Sequence, residues 1–267
     1  MKAKEESAKS KTVDVIVLGV LLLLAAFYAY VTNGLFIGKP LFVGVIFTIP
    51  QIIYLGLRHS KNWKKIIVST LVFGGIFGFL LDFLAEYNKA WSVVSLVFPY
   101  KILNVDPIDN VLGYMLMTAL TVTFYEHFID REKDHNISHN LKYAIWPGIV
   151  EIFLLVIIFY NRPSILLFRY PYFLMGCVAI IPTIILSFRH PSLIKKMATT
   201  AIYFFFFYLT FELFAVAYHY WIYVGNNYIG WVDLFGLRFP FEELFFWIMF
   251  YAASLVAYYE IFIDDEK

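Results

Sequence analysis

Phe124-Tyr125-Glu126-His127-Phe128-Ile129-Asp130-Arg131-Glu132-Lys133 returns at the end of the chain as Tyr258-Tyr259-Glu260-Ile261-Phe262-Ile263-Asp264-Asp265-Glu266-Lys267. The match runs far upstream. Ile49-Pro50 pairs with Ile181-Pro182, Arg58-His59 with Arg189-His190, and Lys64-Lys65 with Lys195-Lys196. Asp82-Phe-Leu-Ala85 with Trp91 pairs with Glu212-Leu-Phe-Ala215 with Trp221, and Pro107-Ile-Asp109-Asn110 pairs with Pro240-Phe-Glu242-Glu243. A self-match of this length sets the architecture before any local pattern does. It divides the chain into residues 1–133 and 134–267.

Of 267 residues 61% are hydrophobic and only 15% charged, with a mean hydropathy of +0.72, too apolar for a domain with a polar surface. An all-α polytopic membrane protein is expected. Stretches long enough to cross a hydrocarbon core of roughly 30 Å run from Val13 to Val31, Leu41 to Leu57, Ile66 to Ala85, Ile108 to Phe128, Tyr143 to Tyr160, Ile165 to Phe188, Met197 to Val216 and Glu242 to Phe262. That makes eight transmembrane helices, four per half. With the N-terminus inside, 15 of the 21 Lys and Arg residues fall on the cytoplasmic side. Both termini are therefore expected in the cytoplasm, in the cell membrane, and an even number of helices per half makes the two repeats parallel. The Lys-rich start runs into the first span without a small-residue cleavage pattern, so it reads as an uncleaved helix. The single cysteine, Cys177, supports neither a disulfide framework nor a thiolate metal site. A net charge of +1 gives no argument for nucleic acid, and none is expected.

Acidic side chains within apolar spans cost on the order of 3 kcal/mol at a helix centre and by default mark function. Asp82, Glu86, Asp109, Glu212, Glu242 and Glu243 all map to the outer end of the bundle, where the third and fourth helices of each half meet the loops. The competing reading is capping, because Asp109, Glu242 and Glu243 follow a proline at a helix start. Capping gives no reason for Asp82 and Glu212 to lie opposite them. Close carboxyl groups in a low-dielectric site hold at least one proton between them, which suits general acid chemistry on an apolar substrate. Glu126, Asp130, Glu260 and Asp264 at the inner end read as solvated helix ends, and Glu151 has no acidic counterpart. Gly74-x-x-x-Gly78 suits a close helix crossing.

The run Glu212-Leu-Phe-Ala215, Trp221 and Phe239-Pro240-Phe241-Glu242-Glu243-Leu244-Phe245-Phe246 resembles the lycopene cyclase domain family, membrane-embedded carotenoid cyclases found as two small subunits or as one tandem chain. The resemblance covers roughly Pro40 to Lys133 and Tyr170 to Lys267. It implies an intramolecular lyase or isomerase that closes rings at the ends of an acyclic C40 polyene such as lycopene, with no net redox change. An acid protonates the terminal double bond, the cation is attacked by the internal alkene, and a base removes a ring proton. Glu242, Glu243, Glu212, Asp82 and Asp109 are the implied catalytic groups. Asn110, Glu86, Trp91, Trp221, His219, Phe245 and Phe246 are the implied substrate contacts. Asn110 departs from the Pro-x-Glu-Glu pattern, so a Glu at 110 is expected to retain or raise activity. No G-x-G-x-x-G follows a strand, and neither a cofactor nor a metal is expected. The expected partners are a carotenoid drawn from the bilayer, membrane lipid, and carotenoid-pathway enzymes or a second copy.

Two alternatives share these residues. A carotenoid hydratase or C50-type cyclase would make the same cation and quench it with water or use an elongated substrate. A repeat-built transporter or lipid-binding protein would use the acids as proton carriers.

Overall fold

The computed structural model describes residues 2–32, 39–59, 62–130 and 135–264; the ends of the duplicated stretch, Arg131–Lys133 and Asp265–Lys267, lie outside the described residues. The fold is predominantly helical. Its helices are α1 (Lys2–Thr32), α2 (Pro40–His59), α3 (Trp63–Tyr87), α4 (Ile108–Tyr125), α5 (Lys142–Asn161), α6 (Pro171–Arg189), α7 (Ser192–Ala217) and α8 (Glu243–Asp264). Among the described residues seven of them are long and apolar enough to cross a membrane, and α4 is the exception. The sequence reading counts α4 as a span. Asp109, Asn110, Thr118, Thr121 and Thr123 make it more polar, and it lies against α2, α3, α7 and α8. A helix surrounded by protein does not need an apolar surface to satisfy lipid. Its hydroxyls are bonded within the bundle: Thr121 Oγ1 lies 3.0 Å from Tyr208 Oη and Thr118 Oγ1 lies 3.0 Å from Tyr251 Oη.

Two glycines let α4 lie close to α3. A Cβ at Gly74 would stand 2.7 Å from Met115 Cα, and one at Gly78 would stand 2.9 Å from Tyr114 Cβ. The backbone of α3 opens into π-helical turns over Thr70–Phe77 at this crossing, and α8 does so over Glu243–Phe250. In the second half the aromatic run Tyr203–Tyr208 fills the space with side chains instead, packing on Phe47 and Phe124. Pro50 and Pro182 sit inside α2 and α6, and Pro147 inside α5.

At one end of the bundle, expected to be the outer one, α3 and α4, and α7 and α8, are each joined by a loop with the same local geometry. After α3, Ala90 N–H donates to Ala85 O and Lys89 has φ 57°; after α7, Tyr220 N–H donates to Ala215 O and His219 has φ 54°. Strand β1 (Ser92–Val93) of one loop pairs antiparallel with β4 (Trp221–Ile222) of the other, with Val93 opposite Trp221. Each loop then forms its own hairpin, β2 (Lys101–Ile102) with β3 (Asp106–Pro107) and β5 (Trp231–Leu234) with β6 (Leu237–Pro240). Both hairpins deliver a proline to the start of the next helix, where its fixed φ suits the first turn.

The opposite end of the bundle, expected to be the inner one, corrects one expectation. Glu126, Asp130, Glu260 and Asp264 are buried, not solvated. They form a polar lock across the halves: Lys65 bonds Asp264, Tyr125 Oη donates to Glu260, Tyr259 Oη donates to Glu126, and Lys196 Nζ reaches Glu260 at 2.7 Å and Asp130 at 3.9 Å. Lys65 and both tyrosines serve the opposite half, while Lys196 bonds Glu260 of its own half and reaches toward Asp130 of the other, which is why the acids can leave water. Arg58 donates from Nε to Asp14 at 3.0 Å, and Tyr54 Oη donates to the same carboxylate at 2.7 Å.

Candidate functional site

The duplicated loop motif places Trp91 and Trp221 nine residues beyond the buried acids Asp82 and Glu212, and the turn between folds each indole back onto its acid. Trp91 Nε1–H donates to Asp82 Oδ1 at 3.0 Å and Trp221 Nε1–H to Glu212 Oε1 at 3.3 Å. These tryptophans are therefore not a lipid-facing belt. Tyr223 Oη adds a 2.6 Å bond to Glu212 Oε1.

Beside Asp82 lies a cavity of about 100 Å³, lined by residues of both halves, among them Asp82, Trp91, Asp109, Asn110, Tyr114, Tyr172, Phe211, Trp221, Glu243 and Trp247. Its size suits one end of a chain molecule, not the whole of a C40 polyene. Six of the sixteen lining residues are aromatic; Trp91 meets Tyr172 edge-on at 4.8 Å and Tyr114 meets Trp247 edge-on at 5.4 Å. Aromatic faces attract a cation placed over them.

Carboxyl groups meet in pairs here. Glu243, in the first turn of α8, faces Glu212 within hydrogen-bonding reach and accepts a bond from Tyr172 Oη. Glu212 Oε2 has no conventional donor. Two carboxylates are acceptor-only, so a bond between them requires one proton held by the pair. In the first half the fourth-helix position is Asn110, whose Nδ2 donates to Asp82 Oδ2 at 2.7 Å and lies 3.5 Å from Glu86 Oε1. The second carboxyl comes instead from Asp106, which faces Asp82 within the same reach.

Glu243, Asp82, Asp109, Asn110, Trp91 and Trp221 thus come together at one cavity, with Glu212 directly behind Glu243. Glu242 and Asp109 have a shared second role, tethering the outer loops. Glu242 Oε1 accepts from Ile229 N–H at 2.7 Å, while Asp109 accepts from Val97 and Phe98 N–H groups. Glu242 is buried but is not part of the cavity wall. Glu86 accepts from Val93 N–H at 3.2 Å beside that wall. His219 is exposed on the outer loop, Phe246 packs on Gly176, and Phe245 stacks with Phe241 away from the cavity. Glu151 is exposed on α5.

Asp106, Tyr114 and Tyr172 escaped the sequence reading because they differ between the halves. Asp106 aligns with Phe239, Tyr114 with Trp247 and Tyr172 with Leu41, so a comparison that looks for sameness passes over them. The proline that follows Asp106 was the available signal. At the inner end Glu126, Asp130 and Asp264 offer carboxylate oxygens within 4.8 Å of one another, but the Lys65 ammonium already bonds Asp264 there.

No family model, no curated protein and no solved structure matches the chain.

Proposed function

We propose that this protein is a carotenoid cyclase of the lycopene cyclase domain type, closing rings at the ends of an acyclic polyene by proton transfer with no net redox change. The observation that carries the reading is Glu243, a buried carboxyl at the wall of a cavity that also carries six aromatic side chains. Glu243 is the general acid: it lines the cavity beside Tyr172, whose hydroxyl it accepts, while Glu212 is not part of the wall. The resulting cation lies among Trp91, Tyr114, Tyr172, Trp221 and Trp247, whose faces favour it over the neutral alkene.

The same reading takes the chain as eight spans in two parallel four-helix repeats, with α4 the eighth, both termini cytoplasmic and the cell membrane as location. Its support is the paired geometry: Trp91–Asp82 with Trp221–Glu212, and Tyr125–Glu260 with Tyr259–Glu126. Reporter fusions after Glu86 and Asn226 should report outside. A fusion after Lys133, a position outside the described residues, should report inside; an outside signal there refutes the topology.

The deciding experiment is expression in a lycopene-accumulating bacterium followed by pigment chromatography. New products of unchanged mass with ring end groups support the proposal. A product heavier by water indicates a hydratase, and unaltered lycopene with correctly inserted protein refutes cyclisation of that substrate.

A further inference from the structure

Asp106 is fully buried, and neither of its carboxyl oxygens meets a conventional donor. It faces Asp82. Both Asp82 oxygens already accept N–H bonds, Oδ1 from Trp91 at 3.0 Å and Oδ2 from Asn110 at 2.7 Å. N–H donors stabilise the ionised form of the carboxyl that accepts them. The proton that joins this pair therefore rests on Asp106. Burial, together with the negative charge of Asp82, pushes the Asp106 carboxyl up to about 11, so it keeps that proton across the working range. The other ionisable groups around the pair are Glu86 on the same helix as Asp82, Lys101 on β2 and Tyr114 on α4, with Glu243 across the cavity.

We propose that Asp106 is a positioning residue that donates its proton in a hydrogen bond to Asp82, holding Asp82 as a carboxylate at the cavity wall so that Asp82 is the base which completes ring closure. This rests on the cyclase reading above. Glu243 gives a proton to the terminal alkene, forming a C–H bond and a carbocation. The π pair of the internal alkene forms the ring C–C bond and moves the cation into the ring. A neighbouring C–H bond then breaks, its electron pair becomes the ring double bond, and its proton goes to Asp82. No electrons enter or leave. The proton returns from Asp82 to Glu243 before the next turnover, and Tyr114 lines the same cavity as both. Two unlike carboxyl pairs thus give one cavity an acid side and a base side. Asn110 is part of this division, because its amide supplies a donor where a second Glu would supply a competing proton.

The test is a pH–rate profile of ring formation in membranes carrying the full chain, for wild type, Asp106→Leu and Asp106→Asn. Leu removes the donor, so the acid limb of the profile should move up by about one pH unit, an approximately ten-fold loss of rate below the limb. The Asn amide still donates to Asp82, so it should restore the wild-type limb and recover the rate to within about three-fold. A Leu profile that superimposes on wild type overturns the proposal, as does an inserted Asn variant as impaired as Leu. Should the Leu variant not insert, Asp106→Ala takes its place with the same expectation. Glu243→Gln separates the two levels: if it cyclises as well as wild type, the cyclase assignment of the cavity fails, independently of Asp106.

Discussion

Replacing Glu243 by Gln, with Glu242→Gln as its neighbour control, tests which of two adjacent acids does chemistry. Gln at 243 can still accept the Tyr172 hydroxyl, and its amide can donate to Glu212 where the shared proton now lies. Fold and packing are preserved while the transferable proton is lost. General acid catalysis is worth about 10²- to 10⁴-fold, which corresponds to roughly 3 to 5.5 kcal/mol of barrier. At 242 the Gln oxygen still accepts from Ile229 N–H, and only the charge assistance of one loop tether disappears, about 1 kcal/mol. Its rate should therefore stay within about ten-fold of wild type. The assay is initial rate of ring formation in membranes, normalised to inserted protein. Equal losses at both positions, or a larger loss at 242, would refute the assignment of Glu243 as acid and leave Glu242 as more than a tether.

Asn110→Glu should lower activity, opposite to what the repeat pattern alone implies. It deletes the donor on Asp82 Oδ2 and adds an acceptor beside Asp82 and Glu86, a change of about 1–3 kcal/mol read as a roughly 5- to 150-fold slower rate; activity at or above wild type would refute it. Lys65→Met should destabilise the inner lock by about 3–5 kcal/mol, because it leaves the Asp264 carboxylate buried and unpaired, measured as a lower melting temperature in detergent; a change under about 1 kcal/mol would mean these acids are solvated. Asp106→Asn should raise the melting temperature by an amount that grows with pH. The folded carboxyl holds its proton up to about 11, so its stabilising contribution is fully present below the ordinary value near 3.8 and is lost as pH rises. The variant and wild type should converge toward pH 4, and a gap that shrinks with rising pH contradicts the buried protonated acid.

The membrane class, the helix positions and most of the acid positions were legible in the residues because each depends on composition or on local spacing. An apolar run of about 20 residues reports a span wherever it packs, and a motif written twice is visible without knowing what it touches. Asp82, Glu212, Glu243, Trp91 and Trp221 were found in this way. Contacts between the halves were decided by the tertiary structure. Sequence placed Glu126, Asp130, Glu260 and Asp264 in water because each ends an apolar helix, and only folding brings Lys65, Tyr125 and Tyr259 across from the other half, and Lys196 from α7, to replace that water. The more polar character of α4 has the same origin, since its neighbours are helices and not lipid. At the cavity, repetition drew attention to Glu242 and Glu243 equally. Adjacent helical positions point about 100° apart, and the packing of α8 turns Glu243 to the cavity and Glu242 to the Ile229 amide. Asp106 lies at a position where the halves differ, so its pairing with Asp82 arises only when the β2–β3 hairpin folds over the end of α3.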